Sequence, residues 1–137
     1  MERIIKIFFI LLICIIGIPA YSQEPTVQEL TTPANMQFKD CTKTYNIPAE
    51  KLYYLTLDSI SANRFEIKEL QSKTGYVVFK AAGREFLATV AYYSQTKSIL
   101  RITPVNGNYY FPPGIVYNIF KYIDININEE IKPIEKS

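Results

Sequence analysis

The sequence predicts an α+β domain of two layers, in which two amphipathic helices lie on one face of an antiparallel sheet of about four strands. The main observation is a change of hydrophobic period along the chain. Apolar residues recur with the helical period in residues 49–64 and after Pro113, and they alternate with a period of two within residues 65–103. Short polar turns divide the alternating region, so the expected order is helix, strands, helix.

The first helix is predicted to begin at Pro48-Ala49-Glu50. Proline suits the first turn of a helix, and an acidic residue is favoured near the positive end of the helix dipole. When residues 49–64 are wound as a helix, the apolar side chains gather on one broad side and most polar ones lie opposite. Such a helix covers a core.

Four strands are predicted from alternating apolar and polar residues, at 65–71, 76–82, 86–93 and 98–103. Turns at 72–75, 83–84 and 94–97 separate them. Leu70 falls out of step with Phe65 and Ile67, which predicts a β-bulge in the first strand.

The second helix follows the stretch NYYFPPGIVYNIFKYI, residues 108–123. The residue before a proline is pushed out of the helical region, so Phe111 is expected to be extended, and Pro113 suits the first helical turn. The helix then runs to about residue 123. Neighbours in an extended chain point in opposite directions, so Phe111 and Tyr109 are expected to face the core and Tyr110 the solvent.

The N-terminus has the features of a signal peptide at residues 1–22. Arg3 and Lys6 precede an apolar run, and small residues at Ala20 and Ser22 favour cleavage before Gln23. The protein is therefore expected to be exported, to a periplasmic or extracellular location. An uncleaved anchor is the competing interpretation, although the apolar run is shorter than the roughly 20 residues that a bilayer span needs.

The rest of the chain is divided by its composition. Residues 23–45 are predicted to be a flexible linker, with an edge strand within 36–45 as an alternative there, residues 46–123 form the α+β domain, and residues 124–137 form a mobile tail. Cys41 is the one cysteine that remains after cleavage. It lies upstream of the predicted domain and is expected to be dispensable for folding.

Composition argues against several classes of function. The chain contains no histidine, the commonest general base and transition-metal ligand, so no cofactor or metal site is predicted. Its net charge is +2, and removing Arg3, Lys6 and Glu2 leaves +1. Such a balance does not predict nucleic acid as a partner. After signal cleavage no integral membrane span is expected.

An enzyme is not predicted, but one alternative remains. Glu66, Glu69 and Glu85 could meet across adjacent strands and act as an acid–base pair. The alternative function is therefore a small secreted hydrolase or transferase with an unrecognised carboxylate site. The competing interpretation is that these carboxylates lie on a solvated sheet face among basic residues.

The layout resembles that of small bacterial envelope domains of the BamC-like type. The similar stretches are IPAEKLYYLTLDSI, FEIKELQSKTGYVVF, the turn at Gly83 and the helix after Pro113. The chain lacks the lipidated cysteine of BamC itself. The resemblance implies a non-catalytic accessory part of the cell envelope.

Tyrosines are the strongest candidates for binding residues, because the chain has 11 of them and ten lie after the signal peptide. A tyrosine ring combines a large apolar face with a polar tip, which suits surfaces that grip other molecules. In each of the adjacent pairs 92–93 and 109–110, one ring is expected to lie away from the core. We therefore expect an exported, non-catalytic module that contacts another envelope protein through Tyr110, Tyr109 and Tyr93. The alternative is that these rings only cover the sheet or its edge.

Overall fold

The computed structural model describes residues 30–128 and has an α+β architecture with two helices and antiparallel strands. The elements are β1 (Ala34–Asn35), a 3-10 helix (Phe38–Cys41), β2 (Thr42–Tyr45), α1 (Ala49–Ala62), β3 (Glu66–Gln71), β4 (Tyr76–Ala81), β5 (Arg84–Ser94), β6 (Lys97–Pro104), β7 (Tyr110–Phe111) and α2 (Gly114–Asn126). The predicted signal peptide and residues 129–137 of the predicted tail lie outside the described residues.

The main sheet has five strands in the order β2-β6-β5-β4-β3, and β1 pairs with β7 in a separate two-stranded sheet. The prediction of about four strands in helix–strands–helix order was therefore wrong in number and in order, because β1 and β2 precede α1. β2 is hard to recognise from the sequence, because Lys43 and Tyr45 lie on the same, inner side of the strand. The lysine interrupts the apolar alternation on that side. The Lys43 ammonium binds the Asp124 carboxylate at 2.6 Å, so this inward lysine has a partner.

Both helices cover the same face of the five-stranded sheet. On β4, β5 and β6 the side chains that face the helices are buried: Val77, Phe79, Ala81, Phe86, Ala88, Val90, Leu100 and Ile102. Their sequence neighbours on the opposite face, such as Leu87 and Arg101, are half-buried or exposed. The Ser59 hydroxyl of α1 donates to the backbone oxygen of Ile119 in α2 at 3.1 Å, which joins the two helices side by side.

Prolines precede both helices, as the sequence predicts. The Pro48 carbonyl accepts from the Leu52 amide at 3.0 Å, and the Pro113 carbonyl accepts from the Tyr117 amide at 3.0 Å. These are the first hydrogen bonds of the two helices. α2 ends at Asn126, three residues beyond the predicted end at about 123.

The β-bulge predicted in the first strand is confirmed. The register between β3 and β4 shifts between Ile67 and Glu69, and Leu70 then pairs with Val77. The shift turns Leu70 back towards the helix side of the sheet, although its side chain is still 52% exposed at this edge. Bulges and charged residues at an outer strand discourage pairing with other chains, and β3 has both.

Cys41 is not in a poorly structured stretch. It is the last residue of the 3-10 helix, its side chain is 0% exposed, and it belongs to the same hydrophobic cluster as Phe111 and Ile119. Burial, followed by the nearby Asp40 carboxylate, raises the pKa of the Cys41 thiol to about 11. The thiol is therefore protonated at neutral pH and serves as a small apolar group.

The expectation that Cys41 is dispensable assumed that it lies outside the folded domain, and that assumption was wrong. Cys41→Ser puts a hydroxyl into an apolar site, and we expect it to lower the free energy of unfolding by about 1–3 kcal/mol. Cys41→Ala, which adds no polar group, is the matched control and should lose less. Denaturant unfolding measures both variants, and equal stability of Cys41→Ser and the unchanged protein would contradict the burial of this side chain.

Candidate functional site

The three aromatic residues before the second helix divide between core and surface. Phe111 is 0% exposed, whereas Tyr110 is 52% exposed and Tyr109 is half-buried against the core. This confirms the predicted sides of the segment. Phe111 lies inside because its ring packs edge-on against Phe86, with the ring centroids 5.0 Å apart.

Arg84 holds the loop that carries Tyr110. Its guanidinium donates to the backbone oxygen of Tyr110, to the backbone oxygen of Asn108 at 2.8 Å and to the side-chain oxygen of Asn106 at 3.0 Å. The Asn108 side chain in turn accepts from the Tyr110 amide at 3.0 Å. Five donors in a rigid plane allow one arginine to fix several acceptors. Tyr110 is thus an exposed ring on an ordered backbone.

A chain of aromatic contacts runs from the core to a second exposed ring, Phe38. Phe111 contacts Tyr109, and Tyr109 contacts Phe38, with 6.3 Å between centroids in each case. Phe38 is 52% exposed, and the Arg101 guanidinium lies 5.2 Å from its ring centre. Phe38 was not predicted from the sequence as an exposed aromatic residue. Its only signal is one aromatic residue in a polar stretch, which does not distinguish an exposed ring from a buried one.

The hydroxyls of Tyr109 and Tyr117 stay protonated at neutral pH. Burial raises the pKa of the Tyr109 hydroxyl, with a smaller contribution from Cys41, and burial followed by Asp40 raises the pKa of the Tyr117 hydroxyl. Neither group is an activated acid or base at neutral pH. The interactions available to Phe38, Tyr109 and Tyr110 are therefore ring contacts and hydrogen bonds.

Tyr93 lies at the opposite end of the sheet. Tyr92 and Tyr93 are 69% and 65% exposed, so both rings lie away from the core. The sequence predicted this for only one ring of the pair. The register between β5 and β6 shifts between Tyr92 and Ser94, which interrupts the regular alternation of the two faces at Tyr93. The Lys97 ammonium lies 5.7 Å from the centre of the Tyr93 ring.

The structure brings Tyr109 and Tyr110 together but separates Tyr93 from them. Arg84, which binds the Tyr110 backbone, opens β5, and Tyr93 lies nine residues further along the same strand. At about 3.3 Å per residue the separation is roughly 30 Å. The three predicted binding residues therefore form two surfaces.

The candidate carboxylates do not converge. Glu66 and Glu85 both pair with Lys80, which lies on the strand between them, and the Glu69 carboxylate accepts a hydrogen bond from the Tyr76 hydroxyl. Glu66 and Glu85 are therefore held on either side of a lysine, one strand apart from each other. This arrangement matches the solvated sheet face that was the competing interpretation.

Two grooves lie near the ends of β5. The smaller, of about 250 Å³, lies beside Arg84 and Val105. The larger, of about 450 Å³, is bounded by the start of α1, the β3–β4 turn and the far part of β5; it is lined by Ala49, Glu50, Ser72, Lys73, Thr74, Gly75, Thr89, Val90, Ala91 and Tyr92. Its volume is within the range of small-ligand sites, about 300–1,000 Å³, and its lining combines apolar and polar groups.

Gly75 fixes one end of the larger groove. Its φ is +75°, and a Cβ added there would lie 2.7 Å from the backbone oxygen of Val90. Gly83 has a similar φ of +76° but open space around it. We expect Gly83→Ala to lose about 1 kcal/mol from the left-handed backbone alone, and Gly75→Ala to lose more. Thermal or denaturant unfolding checks this, and equal losses would contradict the close contact with Val90.

Within residues 30–128 no three His, Cys, Asp or Glu side chains lie together in a way that could hold a metal ion. No helix in the same region has the length and apolar character needed to cross a bilayer. No protein-family model matches this chain, and no curated protein matches it either.

Proposed function

We propose that this protein is an exported, non-catalytic domain that binds another protein of the cell envelope, with Tyr110 as its main contact. The observation that carries the proposal is an exposed aromatic ring on a backbone fixed by Arg84. Binding orders side chains and loops at a cost in entropy, and a ring on a pre-ordered segment reduces that cost. Tyrosine is also enriched among the residues that dominate protein interfaces.

The non-catalytic part of the proposal is supported by the state of the reactive groups. Burial and Asp40 keep the Cys41 thiol protonated, and Lys80 separates the Glu66 and Glu85 carboxylates. The export part rests on the signal-peptide pattern in residues 1–22. The BamC-like resemblance, which implies an accessory envelope role, stays a prediction.

The test is photo-crosslinking in the native envelope. A photoreactive phenylalanine analogue at position 110 should give a discrete crosslinked protein band, and capture of that protein should fall about tenfold or more with Tyr110→Ala. Tyr93→Ala is the matched control, since Tyr93 is 65% exposed but lies nine residues along β5 from Arg84. Nuclease treatment should leave the band unchanged.

Three outcomes of the crosslinking experiment would overturn the proposal. No crosslinked protein at position 110, or equal loss of capture with Tyr110→Ala and Tyr93→Ala, would remove Tyr110 as the contact. A band that disappears with nuclease would point to nucleic acid in place of an envelope protein.

A further inference from the structure

The far part of β5 has a free edge. β4 pairs with β5 only as far as Thr89, because β4 has six residues and β5 has 11. At the next residue the partner of β5 is the β3–β4 turn and no longer a strand: the Val90 amide donates to the backbone oxygen of Gly75 at 2.7 Å. From Ala91 onward, β5 pairs only with β6 among the strands in residues 30–128.

The backbone of Tyr92 points towards this free edge. In an antiparallel ladder the amide and carbonyl of alternate residues point to the same side. Val90 uses that side for Gly75, so Ala91 points its backbone to β6 and Tyr92 points its amide and carbonyl away from β6. These are the groups with which an added strand would pair.

The larger groove lies along the same edge. Its lining includes Thr89 to Tyr92 of β5 on one side, and it is closed at one end by the β3–β4 turn with Lys73. The Tyr92 side chain, 69% exposed, stands at its border. Glu50, in the first turn of α1, is the other charged group of the lining.

We propose that an extended peptide with a free C-terminal carboxylate binds this groove by adding a short strand to β5 at Tyr92. A strand antiparallel to β5 would run from Ser94 towards Val90. Gly75 occupies the next position, so the peptide must end there, beside Lys73 of the β3–β4 turn. The Lys73 charge complements a terminal carboxylate at that point, whereas an uncharged peptide end would leave the cation without a partner.

Backbone groups favour a peptide over other polar ligands. A strand supplies an acceptor for the Tyr92 amide and a donor for its carbonyl at the spacing of a sheet, which a saccharide does not. The apolar face of the Tyr92 ring is available to one peptide side chain. The inference rests on the proposed function in one respect only, that the ligand is a protein segment.

The probe is a synthetic array of random seven-residue peptides with free carboxyl ends, together with the same array carrying amidated ends. We expect the purified protein to bind a subset of the free-ended peptides and to bind their amidated forms about tenfold or more weakly. Lys73→Glu and Tyr92→Ala should each weaken binding by about tenfold or more. Tyr93→Ala, which changes the neighbouring exposed ring outside the groove, should stay within about twofold.

Hydrogen exchange tests the backbone pairing directly. Bound peptide should slow exchange of the Tyr92 amide and leave the Tyr110 amide unchanged. Absence of free-ended binders, equal binding of amidated peptides, or an unprotected Tyr92 amide would each overturn the inference. Binding of N-acetylglucosamine oligomers in the groove, with no peptide bound, would overturn it as well. Crosslinking at position 110 is independent of these results, so failure of this site and failure of the proposed function are distinguishable.

Discussion

Replacing Phe111 with alanine is expected to lower the free energy of unfolding by about 3–5 kcal/mol, the usual loss for a buried phenylalanine. Phe111 is 0% exposed, and its ring packs edge-on against Phe86. It also has the Arg84 guanidinium 5.7 Å from its ring centre. Since domains of this size are stable by about 5–15 kcal/mol, this loss is a large part of the total.

The neighbouring ring supplies the control. Tyr110→Ala removes a half-exposed ring from the same strand and should change stability by no more than about 0.5 kcal/mol. Denaturant unfolding followed by circular dichroism measures both variants. Equal stability of Phe111→Ala and Tyr110→Ala would mean that β7 does not pack on the core as described, and the contrast between folding and binding residues in this segment would be lost.

The helices and the long strands could be predicted because each carries its own pattern. α1 and α2 have an apolar stripe of several turns, and β4 to β6 alternate over six residues or more. Such patterns are set by local burial and survive without knowledge of partners. The bulge in β3 was visible for the same reason, since one residue out of step marks it.

Long-range contacts determine the N-terminal elements, so the sequence pattern left residues 36–45 open between a linker and an edge strand. β1 has two residues, and their partners in β7 lie 75 and 77 positions further along the chain, so no periodicity reveals the pair. β2 has an inward Lys43 that is stabilised by Asp124, 81 residues away. Cys41 is buried by elements that follow it, and composition alone indicated a linker.

The exposure of single residues in the candidate site could be predicted from the sequence, but the contacts between them could not. Strand alternation and the prolines identified Tyr110 as the exposed ring and Phe111 as the buried one. The contribution of Arg84 depends on a β4–β5 turn that meets the loop 24 to 26 residues later, which spacing does not show. The groove at Tyr92 arises from the difference in length between β4 and β5.

Replacing Ile119 with alanine is expected to cost about 2–5 kcal/mol of unfolding free energy. Ile119 lies in the middle of α2, its side chain is 0% exposed, and its backbone oxygen accepts from the Ser59 hydroxyl of α1. The loss combines the apolar area removed from the core with the cavity that rigid neighbours cannot fill. It therefore reports directly on how α2 packs in the helix layer.

Ile125→Ala is the matched control, because it makes the same chemical change on the same helix at a side chain that is 68% exposed. Both substitutions favour the helix slightly, since alanine has the higher helix propensity, so propensity does not separate them. We expect Ile125→Ala to stay within about 0.5 kcal/mol of the unchanged protein. Equal effects of the two substitutions in denaturant unfolding would mean that α2 does not bury its Ile119 side. A large effect of Ile119→Ala alone would instead place the stability of the domain in the contact between α2, α1 and the sheet.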